Sequence, residues 1–276
     1  IVLDLKKEKD WLVMVELVKW ADIFLENFRG GSADKMGLSY EALQRINPKI
    51  IYASSGSFGH RGPLKEKATM ANTSAVFAGW GSISGPPRGP GEIPRGIGMS
   101  ADSINPTYLC LDILMVLCHR ELTGRGQKIE TAQVLTSIAL QQTRASFYLA
   151  AGKQSQPMGT ASPHVVPSQA FETRDTYLVV EAPTERTWKR LCQGLGAREL
   201  LRDPRFTSNA LRVENREILI PKLEAIFREK AASQWIAILK EHAVPCGLVS
   251  MTLDDIYADP QVQANDLVFQ MERPKV

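Results

Sequence analysis

The chain has 276 residues, of which 44% are hydrophobic and 23% are charged, so it is long enough to bury a full core and to form two domains. Its formal net charge is only +3, and its Lys and Arg residues do not cluster into the basic stripe that is typical of nucleic-acid binding. We therefore predict no nucleic-acid partner, and we expect local basic residues to face a small anionic ligand.

The cysteines and histidines form no metal-binding pattern. The four cysteines contain no CxxC motif and lie in apolar or strand-like contexts: Cys110, Cys118, Cys192 and Cys246. They are interpreted as reduced packing residues of a cytoplasmic protein. The four histidines are too scattered for a metal site: His60, His119, His164 and His242. We predict no metal, no membrane span and no signal peptide. Because the first residue is Ile1 and not Met, we also expect a preceding segment to be absent.

The first third of the chain alternates helical and strand patterns. Residues 7–20 have apolar side chains at helical spacing, and residues 21–28 resemble a short buried strand. Ser32 is predicted to cap a short helix and Ser39 a second one, after which residues 50–54 form an apolar strand. Strand, helix and strand with short connections predict a parallel α/β sheet.

Two loops are candidates for ligand binding. The sequence SGSFGHRGP (residues 55–63) follows a predicted strand, where open α/β sheets bind ligands, although an ordinary turn is an equal alternative. A helix follows at residues 70–79. Residues 81–101 are rich in Gly and Pro and are interpreted as a mobile lid or a substrate loop. Arg88 and Arg95 in this segment either meet a carboxylate or are solvated.

Asp102 lies at the start of the predicted central helix. Pro106 suits the first turn of a helix, and the apolar residues 107–118 behind it predict a helix that is buried on nearly every face. On the pattern alone, the preferred interpretation of Asp102 is an N-cap. The alternative is a nucleophilic carboxylate whose anion is held by the helix dipole.

The composition of the second half predicts a smaller unit reached by a linker. Residues 128–134 are predicted to form a strand and residues 137–151 a helix, which completes a large domain over residues 1–151. Residues 152–172 are predicted to be a linker because they are rich in Gly, Ser, Pro and Gln. Residues 173–252 then form a small domain of strands and amphipathic helices, and residues 253–276 begin a return segment.

Several motifs, weak singly but specific in their joint order, resemble the class III CoA-transferases, the family of formyl-CoA and carnitine-CoA transferases. They are Leu3-Asp4-Leu5-Lys6, Ala21-Asp22, Glu26-Asn27-Phe28-Arg29, Lys35-Met36-Gly37, Asn47-Pro48, the SGSFGHRGP loop, Asp102, the run from Arg120 to Gln127 and Pro245-Cys246-Gly247. The resemblance implies a Rossmann-like large domain with a parallel sheet, a smaller α+β domain and an interlocked homodimer. It also implies that the chain is incomplete at both ends.

The resemblance further implies a CoA transfer between an acyl-CoA thioester and a small carboxylic acid. Asp102 would be the nucleophile that passes through an aspartyl anhydride and an aspartyl-CoA thioester, and we then prefer this role over that of a cap. Coenzyme A is the implied substrate carrier. The implied contacts to CoA are Lys6, Asn27, Phe28, Lys35, Met36 and Lys67. The lysines suit this task because cations bind phosphates.

Two alternatives stay open at this stage. An α-methylacyl-CoA racemase would need a histidine near Met70, and none is present. A non-catalytic acyl-CoA-binding homologue is the second alternative, since Ala71 occupies a position at which the family often has an acidic or Asn side chain. Asn72 is a candidate substitute. Arg88 and Arg95 would fit a dicarboxylate such as succinate, malate or mesaconate.

Overall fold

The computed structural model describes residues 1–86 and 100–272. It divides the chain into two compact units, Ile1–Gly159 and Thr160–Val276. The elements of the first unit, in chain order, are α1 (Glu8–Trp20), β1 (Ile23–Glu26), α2 (Ser32–Lys35), α3 (Tyr40–Ile46), β2 (Ile51–Gly56), α4 (Ala71–Phe77), α5 (Trp80–Ile83), α6 (Ala101–Thr123), β3 (Lys128–Ala132), α7 (Gln133–Ala139) and α8 (Thr143–Ala151).

The first unit is built on a three-stranded parallel sheet with the order β1-β2-β3. Ile23 pairs with Ile51, and Gly56 at the end of β2 pairs with Ala132 at the end of β3. All three strands therefore end at the same edge. The predicted parallel α/β sheet is confirmed, and this edge is where such sheets bind ligands.

Side chains of β2 alternate between two hydrophobic clusters. Tyr52 packs on one side of the sheet with Leu43 of α3. Ile51 packs on the other side with Leu109 of α6. Successive side chains of a strand point to opposite faces, so the sheet lies between α1 and α3 on one side and α6 on the other.

The short helices begin close to the predicted residues. Ser39 is the N-cap of α3, and its hydroxyl accepts a hydrogen bond from the backbone N–H of Ala42 at 3.2 Å, as predicted. The prediction for Ser32 is wrong by one residue. Gly31 is the N-cap of α2 with φ +76°, a conformation that glycine adopts without a steric penalty, and Ser32 is the first helical residue.

The end of β3 differs from the prediction. The strand stops at Ala132 and α7 begins at the next residue, Gln133, so no loop separates them. The single helix predicted over residues 137–151 is two helices, because the chain breaks before α8 at Gln142, whose φ is 37°. The polar residue Gln133 is thereby placed at the carboxyl edge of the sheet.

The prediction that α6 is buried on nearly every face is wrong. Only Ala101, Asn105 and Leu109 are buried, and none of the described elements covers the face opposite the sheet. That face exposes Leu111, Leu114, Met115 and Leu122, together with Cys110 and Cys118, which were expected to be packing residues. Contrary to the sequence analysis, α6 is also long and apolar enough to cross a membrane, a criterion that core helices of soluble proteins meet as well.

The second unit combines an antiparallel sheet with helices. Its elements are β4 (Ser168–Glu172), β5 (Tyr177–Glu181), α9 (Glu185–Gly194), α10 (Arg198–Arg202), a 3-10 turn (Pro204–Phe206), α11 (Asn209–Glu214), α12 (Arg216–Phe227), α13 (Ala232–Glu241), β6 (Cys246–Leu248), α14 (Leu253–Ala258) and α15 (Pro260–Ala264). The strand order is β4-β5-β6. The amphipathic helices predicted for this domain bury Trp188, Leu219 and Trp235 in one core. Strand β4 lies inside residues 152–172, which were predicted to be a linker.

Candidate active site

Asp102 is the second residue of α6 and is exposed. The helix begins at Ala101, and Ser100 is the N-cap, so the N-cap interpretation of Asp102 is wrong. Pro106 was predicted to lie in the first turn, but it is the sixth helical residue. Because proline has no N–H, the usual hydrogen bond from residue 106 to the backbone carbonyl of Asp102 cannot form. The carboxylate still lies in the first turn, where the helix dipole favours an anion.

The side chain of Gln133 holds Asp102 in place. Its Nε2 donates to Oδ1 of Asp102 at 2.5 Å, and its Oε1 accepts from the hydroxyl of Ser74 at 2.9 Å. Ser74 is buried in α4, and Gln133 follows β3 directly. One oxygen of the carboxylate is therefore bound, and the side chain as a whole faces solvent.

A second polar contact lies one turn further along α6. Asn105 is buried, with 1% of its surface exposed, and its Nδ2 donates to Oγ of Ser55 at 2.8 Å. Its Oδ1 lies 3.4 Å from the hydroxyl of Thr136 on α7. Asn105 thus joins α6 to the end of β2 and to α7, directly behind Asp102.

A polar cleft lies at the same edge of the sheet. It has a volume of about 530 Å³ including its open mouth. The cationic side chains that line it are Arg29, Lys65, Lys67 and Lys128. Ser57 also lines the cleft, and its carbonyl accepts from the N–H of Val134, the residue after Gln133, at 3.1 Å. The cleft and Asp102 are therefore connected through adjacent residues.

Two loops approach closely to form the cationic wall of the cleft. Nε of Arg29 donates to the carbonyl of Glu66 at 2.7 Å. A Cβ added to Gly30 would lie 2.1 Å from the carbonyl oxygen of Lys65, so only glycine allows this approach. Nζ of Lys67 lies 5.8 Å from the ring centre of Phe58, within the range of a cation–π contact.

Acidic groups balance part of this charge. Glu26 is buried at the end of β1, and it accepts hydrogen bonds from the hydroxyl of Ser54 and, at 2.7 Å, from the N–H of Phe28. Burial, reinforced by the nearby charge of Glu26, raises the pKa of Tyr52, whose phenol therefore stays protonated in this wall.

His60, which lies in the SGSFGHRGP loop that the sequence marks as a ligand-binding candidate, lines the cleft as well. Its Nδ1 lies 3.4 Å from Oε1 of Glu130, and Nζ of Lys128 lies 2.6 Å from the same oxygen. Within the described residues, no group of three His, Cys, Asp or Glu side chains could hold a metal ion.

The structure brings only part of the sequence-derived set to the cleft. Phe28 and Lys67 line it. Asn27 is exposed directly after β1, and Lys35 is exposed at the end of α2. Met36 packs against the cluster around Leu38 and Leu43, and Lys6 is exposed near the start of the chain.

Other sequence candidates are placed less favourably. Arg88 and Arg95 lie outside the described residues. Ala71 begins α4, and Asn72 beside it is exposed, while Ser74 of the same helix reaches Gln133. Sequence reasoning missed Gln133, Ser74 and Asn105. The one signal available for Gln133 was its position as a polar residue at the predicted end of a parallel strand.

The first unit is a parallel α/β fold with a carboxylate and a cationic cleft at one edge of its sheet. Comparison with known proteins identifies the family of the chain. Residues 1–276 match the family described as CoA-transferase family III. Human succinyl-CoA:glutarate CoA-transferase is 33% identical over 276 residues, which are 100% of this chain and 62% of the human protein. Acetyl-CoA:oxalate CoA-transferase from Acetobacter aceti is 34% identical over 247 residues, which are 90% of this chain and 63% of that protein.

A solved structure agrees with these matches. The crystal structure of a CaiB/BaiF family protein from Brucella suis superimposes with a TM-score of 0.78 and 34% identity, covering 96% of this chain and 70% of that one. The chain belongs to CoA-transferase family III. It spans about three fifths of the length of the two named relatives.

Proposed function

We propose that this chain carries the catalytic carboxylate of an enzyme that moves CoA between an acyl-CoA thioester and a small carboxylic acid. The observation that supports this proposal most directly is the arrangement of Asp102. Its carboxylate is exposed, lies in the first turn of a 23-residue helix and is oriented by Gln133. A carboxylate is a weak nucleophile, so orientation and a stabilising field are what it needs.

In the proposed reaction, the free oxygen Oδ2 of Asp102 attacks the thioester carbonyl of the donor. The new C–O bond forms as the C–S bond breaks, and the electron pair leaves with sulfur as the CoA thiolate. The thiolate then attacks Cγ of Asp102 and releases the donor acid, which leaves an aspartyl-CoA thioester. The acceptor acid then follows the two steps in reverse. It attacks Cγ of the aspartyl-CoA thioester and displaces the CoA thiolate, and the thiolate attacks the acceptor's carbonyl carbon. Asp102 is thereby restored, and the acceptor leaves as its CoA thioester. Atoms and charges balance without any further reactant.

The cationic cleft is the proposed site for the phosphates of CoA. Arg29, Lys65 and Lys67 supply positive charge on the two loops that meet at Gly30. Charge-assisted hydrogen bonds to phosphate are stronger than neutral ones. Phe28 offers an exposed ring beside them. Lys6, Asn27, Lys35 and Met36 remain contacts that only the family resemblance proposes.

We propose that the donor and acceptor acids of this reaction are dicarboxylates. The relatives named above carry glutarate, oxalate or succinyl groups in their names, and a relative from Haloarcula hispanica is named succinyl-CoA:mesaconate CoA-transferase. Arg88 and Arg95 are the candidate partners for the second carboxylate.

The proposal extends to assembly and location. An interlocked homodimer, which the family resemblance implies, would give the exposed apolar face of α6 a partner. All four cysteines are free thiols, which supports a reducing, cytoplasmic environment.

The test is a panel of acyl-CoA donors crossed with acid acceptors, with the full-length protein and detection by mass spectrometry. We expect transfer with the native protein and a loss of at least about 1,000-fold in Asp102→Asn, because the nucleophile is removed. Hydroxylamine or borohydride with donor present should modify Asp102. Undiminished turnover in Asp102→Asn contradicts the proposal.

The same panel separates the two alternatives. A racemase would exchange the α-proton of its substrate in deuterated water without moving CoA. A binding protein would retain acyl-CoA in equilibrium dialysis and do neither.

A further inference from the structure

Gln133 presents a neutral hydrogen-bond donor of fixed orientation to Asp102. An ionised carboxylate only accepts hydrogen bonds, so the amide NH2 of Gln133 must face it. The amide oxygen then faces Ser74, whose hydroxyl is its donor at 2.9 Å. The contact between Nε2 and Oδ1 is 2.5 Å. The hydrogen bonds therefore select one orientation of the amide.

The backbone around Gln133 is also fixed. Gln133 directly follows β3, and the N–H of the next residue, Val134, donates to the carbonyl of Ser57. Ser74 is buried, and Val134 is 3% exposed. A donor that directly follows a strand and has buried neighbours needs little reorganisation when charge develops beside it.

We propose that Gln133 is a catalytic residue, the oxyanion donor for the step in which Cγ of Asp102 is itself the electrophile. This inference rests on the proposed function. When the CoA thiolate attacks Cγ of the anhydride, the electron pair of the Cγ=Oδ1 bond moves onto Oδ1, which Gln133 already contacts. Collapse of this oxyanion re-forms the Cγ=Oδ1 bond, breaks the Cγ–Oδ2 bond and releases the donor acid.

The two half-reactions place different demands on this hydrogen bond. In the first, the bond is present before the attack by Oδ2, so it contributes similarly to the ground state and the transition state. In the second, negative charge develops on Oδ1 and strengthens the bond only in the transition state. Only the second kind of interaction accelerates a step. Removal of the amide should therefore slow the formation of the CoA adduct much more than the formation of the acyl adduct.

The experiment is a rapid-quench reaction of the full-length protein with succinyl-CoA and no acceptor. Mass spectrometry of the peptide that contains Asp102 separates the acyl adduct from the CoA adduct. In Gln133→Met, we expect the CoA adduct to form about 100- to 1,000-fold more slowly, the usual effect of losing one oxyanion donor, while the acyl adduct forms within about tenfold of the native rate. Ser74→Ala, which removes the anchor of the amide, should change the same ratio in the same direction.

Gln44→Met is the matched control, because Gln44 donates to the hydroxyl of Tyr40 on the exposed side of α3. Its adduct rates should equal those of the native protein. A native CoA-adduct rate in Gln133→Met, or an equal slowing of both adducts, would overturn the inference. If Gln133→Met does not fold by circular dichroism, an unchanged adduct ratio in Ser74→Ala overturns it as well. Absence of any adduct in the native protein would instead contradict the proposed function.

Discussion

Asn105 follows Asp102 by three residues on α6, and both side chains contact α7, the first at Thr136 and the second at Gln133. The two α7 residues are also three positions apart, so the helices meet through two successive polar contacts. The Asn105 contact is buried and extends to Ser55 of β2. The buried contact fixes the two helices on the sheet and so sets the position of the exposed carboxylate.

Substitution of Asn105 should therefore affect both stability and catalysis. In Asn105→Ala, the half-buried hydroxyl of Ser55 loses its donor, while the hydroxyl of Thr136 keeps its hydrogen bond to the carbonyl of Ala132, so we expect a cost of about 0.5 to 1.5 kcal/mol of unfolding free energy. We also expect a lower kcat with little change in KM, because Asp102 loses its support. Urea unfolding and initial rates measure the two effects. Gln44→Ala, at an exposed position of α3, is the control, and a stability loss with native kcat would limit Asn105 to a structural role.

Lysine substitutions can test whether the phosphates of CoA bind in the cleft or at the lysines outside it that the family resemblance implies. Lys67→Ala should raise KM for acyl-CoA about tenfold, which corresponds to roughly 1.4 kcal/mol from one charge-assisted contact to phosphate. KM for an acyl-pantetheine, which lacks the nucleotide, should not change. Lys35→Ala is the comparison, because Lys35 is exposed but does not line the cleft. An equal rise of KM in Lys35→Ala would show that the phosphates lie elsewhere.

Gly30→Ala tests the close approach of the two cationic loops. The new Cβ would lie 2.1 Å from the carbonyl oxygen of Lys65, so one loop must move. Overpacking of this kind typically costs about 1 to 3 kcal/mol. We expect lower stability in thermal unfolding and a higher KM for acyl-CoA. Gly247→Ala is the control, since its Cβ would meet no atom within 4 Å. Native KM in Gly30→Ala would mean that this loop does not contact CoA.

The acid stability of the second unit should depend on Glu185 and Arg212. Arg212 is buried, and its Nη1 donates to Oε2 of Glu185 at 2.7 Å and to the carbonyl of Phe206 at 3.0 Å. Burial acts to raise the pKa of Glu185, but the hydrogen bonds from Arg212 and from the N–H of Asn209 outweigh it and leave the pKa below its ordinary value. The folded state therefore binds this proton less readily than the unfolded state does.

The sign of the effect follows from this difference. Glu185 contributes stability above the ordinary glutamate pKa of about 4.3, and the contribution is lost as the pH falls through the lower folded pKa. In Glu185→Gln, urea unfolding should show a smaller stability loss between about pH 5 and pH 3. Glu241→Gln, in which an exposed glutamate of α13 is changed, is the control. An unchanged pH slope in Glu185→Gln would contradict the assignment.

Local patterns predicted the elements well because their causes are local. The alternation of strand and helix over residues 7–54 and the cap at Ser39 depend on neighbouring residues. The start of α6 was harder to predict. A proline usually marks the first turn of a helix, but Pro106 is the sixth residue of α6. Burial of α6 was overestimated, because an apolar composition does not reveal how much of a helix the rest of the chain covers.

The site shows the same limit at longer range. Asp102 was found through its place before an apolar run and through the family resemblance. Gln133 and Ser74 are 59 residues apart in sequence, and only the pairing of β2 with β3 and the packing of α4 bring them together. The cleft could not be predicted for the same reason. The need for glycine at residue 30 comes from the carbonyl of Lys65, which is distant in sequence.

The direct join between β3 and α7 limits what this region of the chain tolerates. With no loop between Ala132 and Gln133, an inserted residue has no slack in which to be accommodated. One extra residue in the first turn would rotate the following side chains by about 100°, since a helix has about 3.6 residues per turn. Homologous sequences should therefore vary in length elsewhere, and a single residue inserted here should abolish the proposed CoA transfer.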